Sequence, residues 1–356
     1  MIDGHGDDLH LHGDISMNFS SNIFAHADIS PIKAHLAAHL DVIAHYPEPE
    51  ARSLETKIAH NCHVNPDEVV VTNGAVDAIY TIAEACRNLP LESHHIMQPT
   101  FAEYEDACRA AQLPVSWLTE ADVAQCTDNN PWQQPKPHAL WLCHPNNPTG
   151  NALPIAVLET LAQTYHLMII DQSYAHCTSM PSLDARKVVA MGNVISIHSM
   201  TKSCAIPGLR LGYVVAAAPL ANLIRGRLRP WTVNALAIAA GHYILDHHFH
   251  AIPHLKSYLA EAQRLRTMLL ALPHISVQPT STNFMLCHIA THTAAQLKTH
   301  LATHEGILIR DASNFKTLTA HHFRIAAQLP HENDCLAAAI KRFLDQAEHL
   351  HHQDQR

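Results

Sequence analysis

No stretch of this sequence stays apolar for the roughly 20 residues that a membrane-crossing helix needs. Positive charge is in the minority. Lys and Arg number 23 against 32 Asp and Glu, a formal charge of −9 with the histidines neutral. That balance gives no basis for a nucleic-acid or anionic-membrane partner. The polar start, MIDGHGDDLHLHG, lacks the basic and apolar blocks of a signal peptide, so a cytoplasmic location is expected. The nine cysteines are odd in number and include no C-x-x-C pair, which argues against a disulfide framework and against a zinc ribbon. Reduced, mostly buried thiols are expected instead. There is no internal repeat and no low-complexity linker.

Histidine is what the chain has in excess, 32 residues in all. The pair with helical ligand spacing, His35 and His39 in AHLAAH, has no H-E-x-x-H pattern or nearby carboxylate to complete a metal site, so a solvated polar face is expected and no metal. The histidine-rich end, EHLHHQDQR, reads as an exposed tail. So many imidazoles make the net charge sensitive to pH near 6.5.

With 356 residues, 47% of them hydrophobic, the chain can bury a sizeable core in one large and one smaller domain. Residues 1–40 read as an N-terminal arm and first helix, 41–250 as the large domain and 251–356 as the small one. Ser30 is a suitable N-cap and Pro31 suits a first helical position. Ile32, Leu36, Leu40 and Ile43 form an apolar stripe, so a helix is expected over about Pro31–His45. A second should cover Leu54–His60. Short apolar runs then alternate with helical stretches: Val69–Thr72, His95–Gln98, Ala139–Cys143, Leu167–Asp171, Val194–His198 and Leu211–Ala216. Strands buried on both faces and separated by helices predict an α/β fold with a mostly parallel central sheet between helices. From about Leu255 a long helix, the runs TNFMLCHI, ILIR and HFRIAA, and a closing helix over Asn333–His349 suit a smaller α+β domain, to which the arm can add.

Ligands of open α/β sheets bind beyond the carboxyl ends of the strands, and polar motifs sit there. Val69–Thr72 runs into Asn73-Gly74-Ala75-Val76-Asp77, where a glycine turn and a helix start offer N–H groups to an anion. After Ala139–Cys143 comes HPNNPTG, which aims the Asn147 amide into the crevice or is an ordinary turn. Asp171 ends an apolar strand, where a carboxylate needs a cationic partner such as a pyridinium N–H, or caps a helix; Tyr174 follows. In SMTKSCAIPGLRLGY, Ser199 and Thr201 flank Lys202, and Arg210 lies between Gly208 and Gly212. Hydroxyls and a guanidinium bind a phosphate dianion, and a lysine forms an imine with an aldehyde.

In this order the five motifs resemble the fold-type I pyridoxal-5′-phosphate (PLP) enzymes of the class I/II aminotransferase family, in particular the histidinol-phosphate aminotransferase branch. The resemblance implies PLP as cofactor and Lys202 as its Schiff-base lysine. Asp171 would face the pyridine nitrogen, and Asn147 and Tyr174 the ring oxygen. Ser199, Thr201, Arg210 and the backbone of Gly74, Ala75 and Val76 would hold the phosphate. Tyr104, in PTFAEY, matches the aromatic that stacks on the ring. Tyr46 matches the tyrosine that reaches the partner subunit's cofactor phosphate, which implies a homodimer with shared active sites.

The stretches TKSCAIPGLRLGY, RPWTVNALA, PTFAEY and ILIRDASNF are more similar to threonine-phosphate decarboxylases of cobalamin assembly. That resemblance implies a lyase releasing CO2, with a histidinol-phosphate or related aminotransferase as the alternative and serine phosphate as another substrate. His5, Asn22, Asn147, Arg310 and Arg324 are its implied substrate contacts, the arginines gripping carboxylate or phosphate. Two places depart from the pattern. Ser21-Asn22-Ile23-Phe24-Ala25-His26 replaces Asn-x-Asn-Pro-x-Gly, and Gln328 stands near an expected second arginine. Both are expected to touch substrate contacts.

Overall fold

The computed structural model describes residues 8–123, 136–252 and 254–354. Its centre is a seven-stranded sheet in the order β2-β8-β7-β6-β5-β3-β4. The strands are β2 (Val69–Thr72), β3 (Ser93–Met97), β4 (Val115–Leu118), β5 (Lys136–Cys143), β6 (Tyr165–Asp171), β7 (Val194–Ser199) and β8 (Gly212–Ala216). All neighbours pair in parallel except β8, which runs antiparallel to both β2 and β7. Every residue of β2 is buried, as is all of β6 but His166, as continuous apolar runs covered on both faces require. Two apolar clusters fill those faces, one around Leu140, Met168 and Ile170, the other around Trp141, Ile169 and Ile195. Alternate residues of β5 and β6 thus point to opposite sides of the sheet.

Strand β4 had no counterpart in the sequence reading. It is an edge strand, VSWL, with Trp117 half exposed, so it lacks the continuous apolar signal of the inner strands. A second, antiparallel sheet has the order β12-β13-β10-β9, with β9 Ile275–Val277, β10 Phe284–Ile289, β12 Arg310–Asp311 and β13 His322–Ala326. The N-terminal arm supplies β1 (Met17–Asn18), paired in parallel with β11 (Ile307–Leu308). The run ILIR is therefore split between two pairings. The closing helix covers Pro330–Asp354.

The first helix is shorter than its stripe suggested. Helix α1 covers Ser30–Ala38, and a 3-10 turn over Leu40–Ala44 follows. Ser30 is its first residue rather than its cap; Asp28 Oδ1 accepts the Ser30 N–H at 3.0 Å. The His39 ring Nδ1 lies 2.7 Å from the His35 carbonyl oxygen at i−4, where it competes with the backbone, and Leu40 and Ile43 are exposed, so nothing in this chain rewards extending the helix. Helices α2 (Arg52–Cys62), α3 (Gly74–Cys86) and α4 (Glu103–Ala110) follow in order. Apart from Cys62 and the exposed Cys335, the described cysteines are buried, and all of them are free thiols.

Candidate active site

The site begins where β2 hands over to α3. Gly74 opens that helix at φ +84°, and Asn73 donates its N–H to Asp77 Oδ2 at 2.9 Å. Because β8 runs against β2 and β7, Arg210, two residues ahead of its first residue, arrives at their carboxyl ends. Arg210 holds φ +58°, a left-handed conformation that costs a non-glycine residue about 1–3 kcal/mol. Glycine is needed on both sides of this contact. A Cβ on Gly74 would lie 2.7 Å from Arg210 Nη2, and one on Gly212 would lie 2.9 Å from Ala75 N. The guanidinium and the N–H groups at the start of α3 therefore share one corner, with Ser199 and Thr201 beside it. Thr201 Oγ1 is buried there without a hydrogen-bond partner, an orphan that an anion's oxygen would satisfy.

Asp171 ends β6 at the floor of the cavity. Its Oδ2 accepts from the Tyr104 hydroxyl at 2.8 Å, and its Oδ1 accepts from the Ser173 N–H at 2.8 Å. Burial pushes its pKa up, while Ser173, Tyr104 and the Lys202 charge oppose that rise. Lys202 lines the same cavity from the short helix Met200–Ser203 that follows β7. The Tyr174 ring packs edge-on against Phe284, centroids 4.9 Å apart. Burial raises the Tyr174 pKa, against the pull of nearby Arg324.

The opposite wall is cationic. Arg310 and Arg324 are cross-strand partners on β12 and β13, 6% and 5% exposed. Arg324 Nη1 donates to Asn147 Oδ1, and Nη2 donates to the Ser20 carbonyl at 2.7 Å. Arg310 Nη2 donates to Asn314 Oδ1 at 2.8 Å. Among the described residues neither guanidinium has a carboxylate within ion-pair distance. Burial lowers both pKa values, that of Arg324 to about 10. Two buried cations resting on neutral acceptors call for anions. Asn314 and Phe315 line the cavity from a loop pinned by Lys316, whose Nζ donates to Glu105 Oε1 at 2.8 Å and lies 3.5 Å from the Trp117 ring centroid.

One cavity of about 410 Å³ collects most of the expected residues: Ala75, Val76, Tyr104, Asn147, Asp171, Tyr174, Ser199, Thr201, Lys202, Arg210, Arg310, Arg324 and Asn22. Gly74 touches it through Arg210. Tyr46 does not join them; it is 85% exposed, its ring against Trp231 at 5.4 Å. His5 lies outside the described residues. Gln328, expected near the substrate, does not line the cavity. Sequence reasoning missed Ser20, Phe101, Asp106, Cys143, Ser173, Asn314 and Phe315, all of which do. Phe101, Asn314 and Phe315 fall inside stretches already singled out by similarity, PTFAEY and ILIRDASNF, which was the available signal. Among the described residues no three potential ligand side chains converge on a metal site.

The family model described as aminotransferase class I and II matches residues 14–342. A threonine-phosphate decarboxylase of Salmonella typhimurium is 30% identical over 94% of this chain and 93% of its own. A histidinol-phosphate aminotransferase of Carboxydothermus hydrogenoformans is 26% identical over 84% of each chain. Among solved structures, an L-threonine-O-3-phosphate decarboxylase from Porphyromonas gingivalis superposes with a TM-score of 0.86 at 32% identity, covering 92% of this chain and 99% of that one.

Proposed function

Starting from the fact that the chain belongs to the aminotransferase class I and II family, we propose that it decarboxylates L-threonine O-3-phosphate to aminopropanol phosphate for cobalamin nucleotide-loop assembly. Its cofactor is PLP. The residues present fit that group. The Gly74–Arg210 corner and the orphaned Thr201 hydroxyl suit a phosphate, and the buried Asp171 carboxylate suits a pyridinium N–H. When bound, PLP supplies an aldehyde that captures the substrate amine and a ring that withdraws electrons from the bond to be broken.

In this reading Lys202 Nζ would hold the cofactor covalently and would supply the proton to the substrate's Cα. Asp171, steadied by Tyr104 and Ser173, keeps the ring nitrogen protonated. Because Asn147 Oδ1 accepts from Arg324, its amide NH2 is the end that would donate to the ring oxygen, together with the Tyr174 hydroxyl. Ser199, Thr201, Arg210 and the 74–76 backbone hold the phosphate, and Tyr104 also flanks the ring. Tyr46, exposed on this chain, reaches the partner's site in a homodimer. A cytoplasmic location is part of this proposal. Separately, no described helix is long and apolar enough to cross a membrane.

The observation that carries the substrate choice is the pair of buried guanidinium groups with no carboxylate partner among the described residues. Threonine phosphate brings both a carboxylate and a phosphate. Histidinol phosphate brings one anion and leaves a cation unanswered. The bond that breaks is the one held perpendicular to the cofactor ring, so the arginines choose the reaction by fixing those two anions. Serine phosphate carries the same anions and differs by one methyl, worth about 1 kcal/mol in a fitted pocket. Similarity to histidinol-phosphate aminotransferases supports the second reading. The two separate on acceptor dependence: a decarboxylase turns over without a 2-oxo acid, and an aminotransferase stops after one turnover.

A further inference from the structure

The two departures flagged in the sequence, the segment 21–26 and Gln328, meet each other. Residues 17–26 form a strap over the small sheet. The Phe19 N–H donates to the Leu308 carbonyl at 2.8 Å, and the Phe19 carbonyl accepts from the Ala326 N–H at 2.9 Å. Beyond Phe19 the strap turns along the cavity, where it contributes Ser20, Ser21 and Asn22. Asn22 is 3% exposed; its amide lies beside the Tyr174 hydroxyl, yet neither end makes a well-aligned hydrogen bond to protein. A buried amide with donor and acceptor capacity left over can take a ligand, and needs its loop held still to do so.

Gln328 holds that loop. Two residues past β13, it is 2% exposed and off the cavity. Its Nε2 donates to the Asn18 carbonyl at 3.2 Å, and its Oε1 accepts from the Ala25 N–H at 3.3 Å. One side-chain amide therefore closes both ends of the 18–25 loop. Its own N–H donates to Asn333 Oδ1 at 2.9 Å, which anchors the clamp to the closing helix. Beside it His26 Nε2 meets Glu332 Oε2 at 2.7 Å, and Phe24 packs on Tyr258 with centroids 4.9 Å apart. We propose that Gln328 is a positioning residue that fixes the 18–25 loop from within the same chain, and thereby sets the Asn22 amide against the anionic substrate. The substrate half of this inference rests on the function proposed above. An arginine at 328 has donors only and cannot accept the Ala25 N–H, so the glutamine replaces a cation by a two-ended clamp.

The test uses the holoenzyme and two readouts. Gln328→Met keeps length and packing but removes both hydrogen bonds. Amide exchange over 18–26 should quicken about tenfold, with α3 and β13 unchanged. Gln328→Arg should do the same. The KM for threonine phosphate should rise about tenfold in Gln328→Met with kcat nearly constant, and Gln328→Met/Asn22→Ala should be no worse than Asn22→Ala alone. Unchanged exchange over 18–26 would overturn the clamp. Multiplying KM effects, or tighter substrate binding in Gln328→Arg, would show direct contact with substrate and overturn the positioning role. If no phosphorylated amino acid is turned over, the function proposed above fails, and the exchange result still decides the clamp.

Discussion

Two side chains divide the chemistry at the scale of the residue. Asp171 is a buried carboxylate whose pKa burial raises while two donors and a lysine pull against that rise, a group that a cationic partner such as the cofactor's ring nitrogen would complete. Asp171→Asn should lower kcat on the order of 10²-fold or more while weakening cofactor affinity far less, because the amide removes the charge and keeps the shape. Stopped-flow rates beside a cofactor titration check this; an unchanged rate would mean that another group serves the ring nitrogen. Arg324→Lys should raise substrate KM roughly 10–100-fold, because one ammonium cannot bond Asn147 and Ser20 and also grip an anion in a fork. A normal KM would move the grip elsewhere. These residues were legible because each sits in a short motif at a strand end, where chemistry and turn geometry coincide. Ser20 and Asn314 were not. Each enters the site by answering an arginine, Ser20 across 304 positions and Asn314 from within ILIRDASNF, a stretch marked by similarity and not by any chemistry of Asn314 itself.

The antiparallel strand β8 matters most among the elements, because it alone brings a cation from the start of a strand to the ends of its neighbours. Its fit against α3 depends on Gly212, whose added Cβ would meet the His198 carbonyl at 2.8 Å and the Gly74 carbonyl carbon at 2.9 Å. Those are backbone atoms and cannot swing aside. Gly212→Ala should cost about 1–3 kcal/mol of stability and loosen cofactor binding, whereas Gly208→Ala, with open space around it, should change neither. Thermal unfolding of apo- and cofactor-loaded protein reads both effects, and equal behaviour of the two variants would contradict this packing. The inner strands were readable from sequence because burial on both faces leaves continuous apolar runs. Strand β4 was not, since an edge strand with an exposed tryptophan carries no such run. The length of α1 was misjudged because an apolar stripe reports a face that wants cover, and Leu40 and Ile43 find none within this chain.

The histidine excess bears on the behaviour of the whole molecule toward acid. His94 is fully buried, and its Nδ1 accepts from Trp141 Nε1 at 3.0 Å, so the fold requires the neutral ring. Burial pushes its pKa down to about 4, from 6.5. Between those values the unfolded chain binds the proton that the folded chain refuses. Stability is therefore full above about pH 6.5 and falls as pH drops toward 4, by on the order of 3 kcal/mol from this one side chain. His94→Gln should flatten that loss, seen as a smaller difference between urea midpoints at pH 7 and pH 5; an equal difference would remove His94 from the account. The sheet and the cofactor corner could be read from the sequence because local runs and motifs encode them. The threading of the arm through β11 and β13 could not, since it depends on contacts spanning some 300 residues.

The central claim concerns what the assembled cavity does to its substrate. The direct test is to give the PLP-loaded protein L-threonine O-3-phosphate with no keto acid and to measure CO2 and the amine product together. Sustained turnover with CO2 and aminopropanol phosphate in equal amounts is expected. No CO2, with the cofactor instead converted to its amine form by histidinol phosphate or glutamate, would contradict it and make the protein an aminotransferase.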